Sequence, residues 1–194
     1  MKRKIYFIIT IFILSVILCT ALVGCAPSRP DRYITQLLAS ENWGVFFYNE
    51  KGEETSVIAR NGNMRMDIGV KGSTCLVIGK TAVEVYRFED NVWSYQVVVD
   101  KDKVQLFKEQ VLNGNANNLD VTAPDLLYIQ NDFESKFEKI NGKWYERNTK
   151  PACVYTKNNC LVYEKNNKTT KYKMGYKIVL PKEAKQAKKD ALAS

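Results

Sequence analysis

The chain has 194 residues, 45% of them hydrophobic and 26% charged, with a formal net charge of +8. That is enough apolar material for a core, and it excludes a disordered polymer. It contains no histidine, which excludes Ser-His-Asp and Cys-His catalysis, His-ligated zinc and imidazole pH switching.

The chain opens on a basic head, Lys2, Arg3 and Lys4, followed by an almost uncharged run from Ile5 to Val23. That order matches the n-region and h-region of a secretory signal, residues 1–24. A run of this length also reaches across a bilayer, so an uncleaved transmembrane anchor is the competing reading. Leu22-Val23-Gly24-Cys25 resembles a bacterial lipobox, with a branched and a small residue before the cysteine. It makes Cys25 the expected lipid attachment site. Two acyl chains on Cys25 would hold a protein stably, because each buried methylene contributes about 0.8 kcal/mol. Residues 25–31, with Pro27 and Pro30, read as the lipidated cysteine and an extended tether. Processing removes three positive charges and Cys19.

The domain expected over 32–180 begins with a short helix, because Tyr33, Ile34, Leu37 and Leu38 follow helical spacing. The period then changes to two. Strands are expected at Trp43 to Tyr48, Glu54 to Arg60, Met64 to Ile68, Cys75 to Ile78, Val83 to Tyr86 and Trp93 to Val99, separated by Gly- and Asn-containing turns. A helix follows from Lys101 to Leu112, then a polar break at Asn113 to Asn118 and a second helix starting at Pro124-Asp125, with Leu126, Leu127, Ile129 and Phe133 as its apolar residues. Strands return at Lys136 to Ile140 and Lys143 to Arg147 around Asn141-Gly142, a pair suited to a type I′ turn. Val154-Tyr155, Leu161 to Tyr163 and Lys171 to Met174 complete the set. The layout predicts an α+β fold, a curved antiparallel sheet (half-barrel) covered by helices. Lys182, Lys185, Lys188 and Lys189 lie in a basic C-terminal tail, 181–194, read as solvated or as touching anionic lipid or wall polymer.

Cys75, Cys153 and Cys160 remain beyond Cys25. Cys75 reads as a small buried apolar residue. Cys153 and Cys160 form a possible disulfide, which would contribute about 2.5 kcal/mol. A turn at Asn158-Asn159 opposes it, setting Cys160 across from Lys157 and Cys153 across from Glu164. Both outcomes stay open at this point.

Ser56 to Asp67, with Asn61-Gly62-Asn63 as its turn, together with Cys75 to Lys80, Leu161 to Tyr163 and Lys171 to Met174, resembles the lipoprotein-carrier superfamily of half-open barrels (LolA-, LolB- and LppX-like folds). The resemblance spans roughly residues 40 to 175, more in pattern than in identities. It implies an apolar concavity for acyl chains, lined here by Met64, Met66, Ile68, Val83, Val85, Trp93 and Tyr95. An ordinary closed core gives the same alternation.

Other motifs carry less. Gly79-Lys80-Thr81 lacks the first glycine of a phosphate loop, and Thr74 stands in that place. Asp100 and Asp102 begin like a calcium loop without its glycine and glutamate. Paired acids at Glu53-Glu54 and Glu89-Asp90 sit at turns. Asn167-Lys168-Thr169 fits a glycosylation acceptor and carries little weight in a bacterial chain. No catalytic set, metal site, cofactor or nucleic-acid partner is expected. The function expected is that of a lipid-anchored protein on the extracytoplasmic face of the cell membrane, binding an apolar or lipid-like ligand. The alternative is a protein-interaction or envelope-stress module with an envelope protein partner and with Tyr145, Tyr155 and Tyr172 as contact residues.

Overall fold

The computed structural model describes residues 29–69, 72–111, 123, 125–147 and 152–194. The expected leader, Cys25 and the polar break at 113–118 lie outside these residues. Among the described residues there are five helices: α1 (Pro30–Leu38), α2 (Lys101–Val111), α3 (Asp125–Gln130), α4 (Phe133–Lys136) and α5 (Lys182–Ala193). The strands are β1 (Asn42–Tyr48), β2 (Glu54–Asn61), β3 (Met64–Gly69), β4 (Gly72–Ile78), β5 (Val83–Glu89) and β6 (Val92–Val98), then β7 (Phe137–Ile140), β8 (Lys143–Glu146), β9 (Cys153–Lys157), β10 (Cys160–Lys165) and β11 (Lys168–Met174). No helix among them is long and apolar enough to cross a membrane.

All eleven strands form one open antiparallel sheet, in the order β6-β5-β4-β3-β2-β1-β11-β10-β9-β8-β7. It consists of two meanders, β1 to β6 and β7 to β11, joined where β1 pairs β11 with Trp43 opposite Met174. The hairpins follow from turn chemistry. Asp90-Asn91, Asn141-Gly142, Asn158-Asn159 and Asn166-Asn167 hold both central residues at positive φ, the requirement of the type I′ turn. Asn and Asp enter that region more readily than other side chains, so short Asn-rich links turn the strands tightly.

Strand alternation gives the sheet two faces. On the first, Trp43, Val45, Leu161, Tyr163, Tyr172 and Val154 are buried in one cluster with Tyr33, Ile34 and Leu37 of α1, Leu126 and Ile129 of α3, and Phe133 of α4. Pro30 supplies a preset φ where α1 starts, and the helix's buried positions, Pro30, Tyr33, Ile34 and Leu37, lie one turn apart. The Tyr33 hydroxyl fastens α1 to the sheet. It donates to the Asn159 carbonyl at 2.8 Å and accepts the Met174 N–H at 3.1 Å. A second cluster on this face joins Ile78, Val83 and Val85 to Val104 of α2.

On the second face, Val57, Ala59, Met66, Cys75 and Tyr86 pack with Ile178 and Ala184 of the C-terminal segment. The segment read from sequence as a solvated tail is therefore ordered helix from Lys182 to Ala193, docked against β6. Its small buried face explains why hydropathy patterning hides it. Ala184 is its buried residue, and Lys188 pairs with Glu84 at 2.6 Å.

Candidate functional site

The residues singled out as a ligand lining do not share one surface. Met64, Met66, Ile68, Trp93 and Tyr95 lie on the second face, whereas Val83 and Val85 lie on the first, beneath α2. The register sets the parity: Val85 pairs with Leu76 and Gln96, and Tyr86 pairs with Cys75 and Tyr95. In β5 it is Tyr86 and Phe88, with Glu84 between the sheet and Lys188, that face the Met64 side. That side is already occupied: Met64, Trp93 and Tyr95 pack around the cluster that holds Ile178 and Ala184. Ile68, near the end of β3, stays exposed. A wide, open hollow of about 570 Å³ adjoins Trp93, between the β5–β6 hairpin and Glu183, Gln186, Ala187 and Asp190 of α5.

The other half of the second face behaves differently. There β1, β9, β10 and β11 line an open groove of about 490 Å³ with Tyr48, Tyr155, Lys157, Cys160, Val162, Glu164, Thr169 and Lys171, closed at its ends by Gly52 and Asn158. Alternation places Cys160, Val162 and Glu164 of β10 side by side along the floor. Thr169 and Lys171 flank them from β11, and Cys153, Tyr155 and Lys157 flank them from β9. Val162 is buried beneath these longer neighbours. Phe46, across β11 on the same face, stacks edge-on against Tyr176 at 5.3 Å, which marks where the C-terminal segment's cover ends.

Two cation–π pairs set the walls: Lys171 over Tyr48 and Lys143 over Tyr155, each at 4.1 Å. The carboxylate of Glu164 is fully engaged. It accepts the Tyr155 hydroxyl at 2.6 Å, the Cys153 thiol at 3.2 Å and the Lys143 ammonium at 3.3 Å. Burial pushes its pKa upward, but the bonds from Tyr155 and Cys153 and the Lys143 charge outweigh burial and hold it below the ordinary carboxylate value. Burial first, then the hydrogen bond to Glu164 and after it the Glu164 charge, push the Cys153 thiol up to about 12 and raise Tyr155 as well. At neutral pH Cys153 is thus a protonated hydrogen-bond donor, not a thiolate. The set thus places aromatic rings, lysine ammoniums and one engaged carboxylate along a single open face.

Cys153 and Cys160 are both free thiols. The possible disulfide is not formed, because the Asn158-Asn159 turn sets Cys160 opposite Lys157 and Cys153 opposite Glu164. Cys153 and Glu164 are instead hydrogen-bond partners. Cys75 is wholly buried, as its reading as an apolar core residue requires. Of the three tyrosines considered as contacts, Tyr172 is buried in the first-face cluster, whereas Tyr145 and Tyr155 are half-buried on the second face. Among the described residues no group of His, Cys, Asp and Glu could hold a metal ion.

The groove as a unit escaped sequence reading because Cys160-Val162-Glu164 and Thr169-Lys171-Lys173 show no apolar alternation. Their common face becomes visible only when the Asn158-Asn159 and Asn166-Asn167 turns are aligned.

No family model, curated protein or solved structure matches the chain. The groove's chemistry therefore carries the functional argument alone.

Proposed function

We propose that the chain is a non-enzymatic lipoprotein, anchored through lipid on Cys25 to the extracytoplasmic face of the membrane, that binds a lipid-like ligand. In this reading the sheet is the half-open barrel of the carrier superfamily, with helices covering its first face. The ligand lies on the second face, in the groove between Tyr48 and Tyr155. The single observation that supports it is that open groove, beside an identical-facing half that the C-terminal segment already fills. The physical basis is desolvation at about 25 cal/mol per Å² of apolar surface covered, so an acyl chain laid along the Tyr48 and Tyr155 rings and the lysine stems beside them gains free energy in proportion to the area it covers.

The test is native mass spectrometry of protein extracted in mild detergent. A retained lipid, or saturable uptake of added lipid, is the expected result. Protein that is always empty and shows no saturation would remove the proposal. Replacement of Cys25 by serine tests the anchor separately: incorporation of labelled palmitate and membrane retention should both be lost.

A second reading, a protein-interaction module, draws on Tyr145 and Ile140, which stand beside the groove on the same face with Ile140 46% exposed. In-cell crosslinking that yields one reproducible protein partner, with no lipid co-purifying, would favour it.

A further inference from the structure

We propose that the chain forms a two-fold dimer through the outer edge of β6, so that two sheets run together as one. Strand β6 ends the sheet, with β5 as its one neighbour. Helix α5 lies against it and α2 starts beyond it at Lys101, yet among the described residues no hydrogen bond reaches its outer edge. Sheet edges are normally blunted by shortness, charge or proline, because a bare one templates the addition of another strand. The opposite edge obeys this rule: β7 has four residues, and Glu138 and Lys139 are among them. Strand β6, Val92-Trp93-Ser94-Tyr95-Gln96-Val97-Val98, has seven residues without a charge, a proline or a glycine, and Val92 is 65% exposed.

The edge is complementary to itself. The two-residue Asp90-Asn91 turn makes Glu89 and Val92 a hydrogen-bonded pair, so alternation points the N–H and C=O groups of Trp93, Tyr95 and Val97 outward. An antiparallel copy centred on Tyr95 brings Trp93 opposite Val97 and Tyr95 opposite its own counterpart, and each such pair exchanges both main-chain bonds. The same register sets Val92 against Val98 and Ser94 against Gln96, apolar to apolar and polar to polar. An unrelated extended peptide would meet that match only by chance, so the fitting occupant is a second copy. A two-fold pairing also closes on itself. Pairing β6 with β7 of another copy would instead give an open filament, and β7 is too short and too charged to support it. The nearest charges beyond the strand, Asp90 and Asp100, are exposed, and solvent and salt screen them. The groove between Tyr48 and Tyr155 lies on distant strands of the sheet, so the inference is independent of what that groove binds.

The experiment is native mass spectrometry of the full chain in mild detergent across a concentration series, read as the dimer dissociation constant. A single-strand edge is smaller than a standard interface, so a reversible dimer in the micromolar range is expected. Protein that stays monomeric up to about 100 μM overturns the inference. Ser94 and Gln96 are exposed on the first face, with Arg87 and Val85 as their β5 neighbours. Ser94→Glu/Gln96→Glu sets like charges directly opposite at both symmetry-related sites and should weaken dimerisation by about tenfold. Ser94→Glu/Gln96→Lys sets opposite charges there instead and should restore it to within about threefold of wild type. An unchanged dimer in the first variant places the contact elsewhere, and equal loss in both variants refutes the register; either outcome overturns the inference. A mixture of Ser94→Cys and Gln96→Cys chains gives an independent check, because those two positions are directly opposite only across the proposed two-fold. The mixed disulfide should form at least about fivefold faster than either chain bonds to its own kind, and equal rates overturn the assigned pairing.

Discussion

Glu164 shows how a single side chain organises the groove. Its three donors come from three elements: Tyr155 and Cys153 from β9 and Lys143 from β8. Because its folded-state pKa is depressed, the stability it supplies is fully present above its unfolded value near 4.5 and is lost as pH falls through the lower folded value. Glu164→Gln should therefore lower the melting temperature at pH 7 by a few degrees, on the order of 1 kcal/mol for a partly exposed charged hydrogen-bond hub. Melts run from pH 7 down to pH 3 should show the wild-type and variant curves converging below about pH 4.5. A gap that stays constant with pH would contradict the assigned ionisation. At this scale the sequence was partly legible. The Asn158-Asn159 turn correctly places Cys153 against Glu164, since a two-residue turn fixes every pairing beyond it. The lining set was less legible, because Val83 and Val85 look as apolar as Met64 and Met66, and only the β4–β5 register reveals that they face the other way.

Among the elements, α5 is the one that hydropathy hides. Lys, Glu, Gln and Ala favour helix strongly, but the face it buries offers alanine where other helices offer leucine or phenylalanine. Its docking combines the fit of Ala184, which is fully buried, with the Lys188–Glu84 pair and the Tyr86 hydroxyl, which donates to the same carboxylate at 2.6 Å. A small residue at the contact lets the helix backbone approach the sheet closely, so bulk or charge there has nowhere to go. Ala184→Glu should undock α5. Limited trypsinolysis would then cut at Lys182, Lys185, Lys188 and Lys189 several times faster, and exposure of Trp93 should red-shift the tryptophan emission. Lys185→Arg, exposed on the same helix, should change neither. The existence of all eleven strands was readable, and the Asn141-Gly142 hairpin to within a residue, but β4, β5, β9, β10 and β11 run two or three residues further than their apolar alternation shows, because polar residues such as Lys168 and Thr169 extend them.

For the molecule as a whole, the joint between β1 and β11 decides cooperativity. Trp43, Val45, Leu161, Tyr163 and Tyr172 belong to one cluster although they come from opposite meanders, and α1 spans them. Neither meander can keep that cluster dry alone, so both should unfold together. Far-ultraviolet circular dichroism and tryptophan fluorescence are expected to give one coincident thermal transition. Trp43→Ala, removing the largest fully buried side chain, should destabilise that single transition by about 3–5 kcal/mol without splitting it. Two separated transitions would show that the meanders are independent. The pairing of β1 with β11 was not legible from sequence, since nothing local to Trp43 announces a partner near Met174; the eleven strands could be listed but not ordered.

That joint also sets a timetable for the chain during synthesis. Strand β1 is made more than a hundred residues before Lys168–Met174, the partner for one of its edges. Until that partner is made the nascent protein therefore carries Trp43, Val45 and Phe47 on a strand with one naked edge, an invitation to pair with the wrong chain. A polypeptide stalled anywhere before Lys168 would hold this sticky edge open indefinitely, whereas the final seven-residue strand both completes the sheet and seals it.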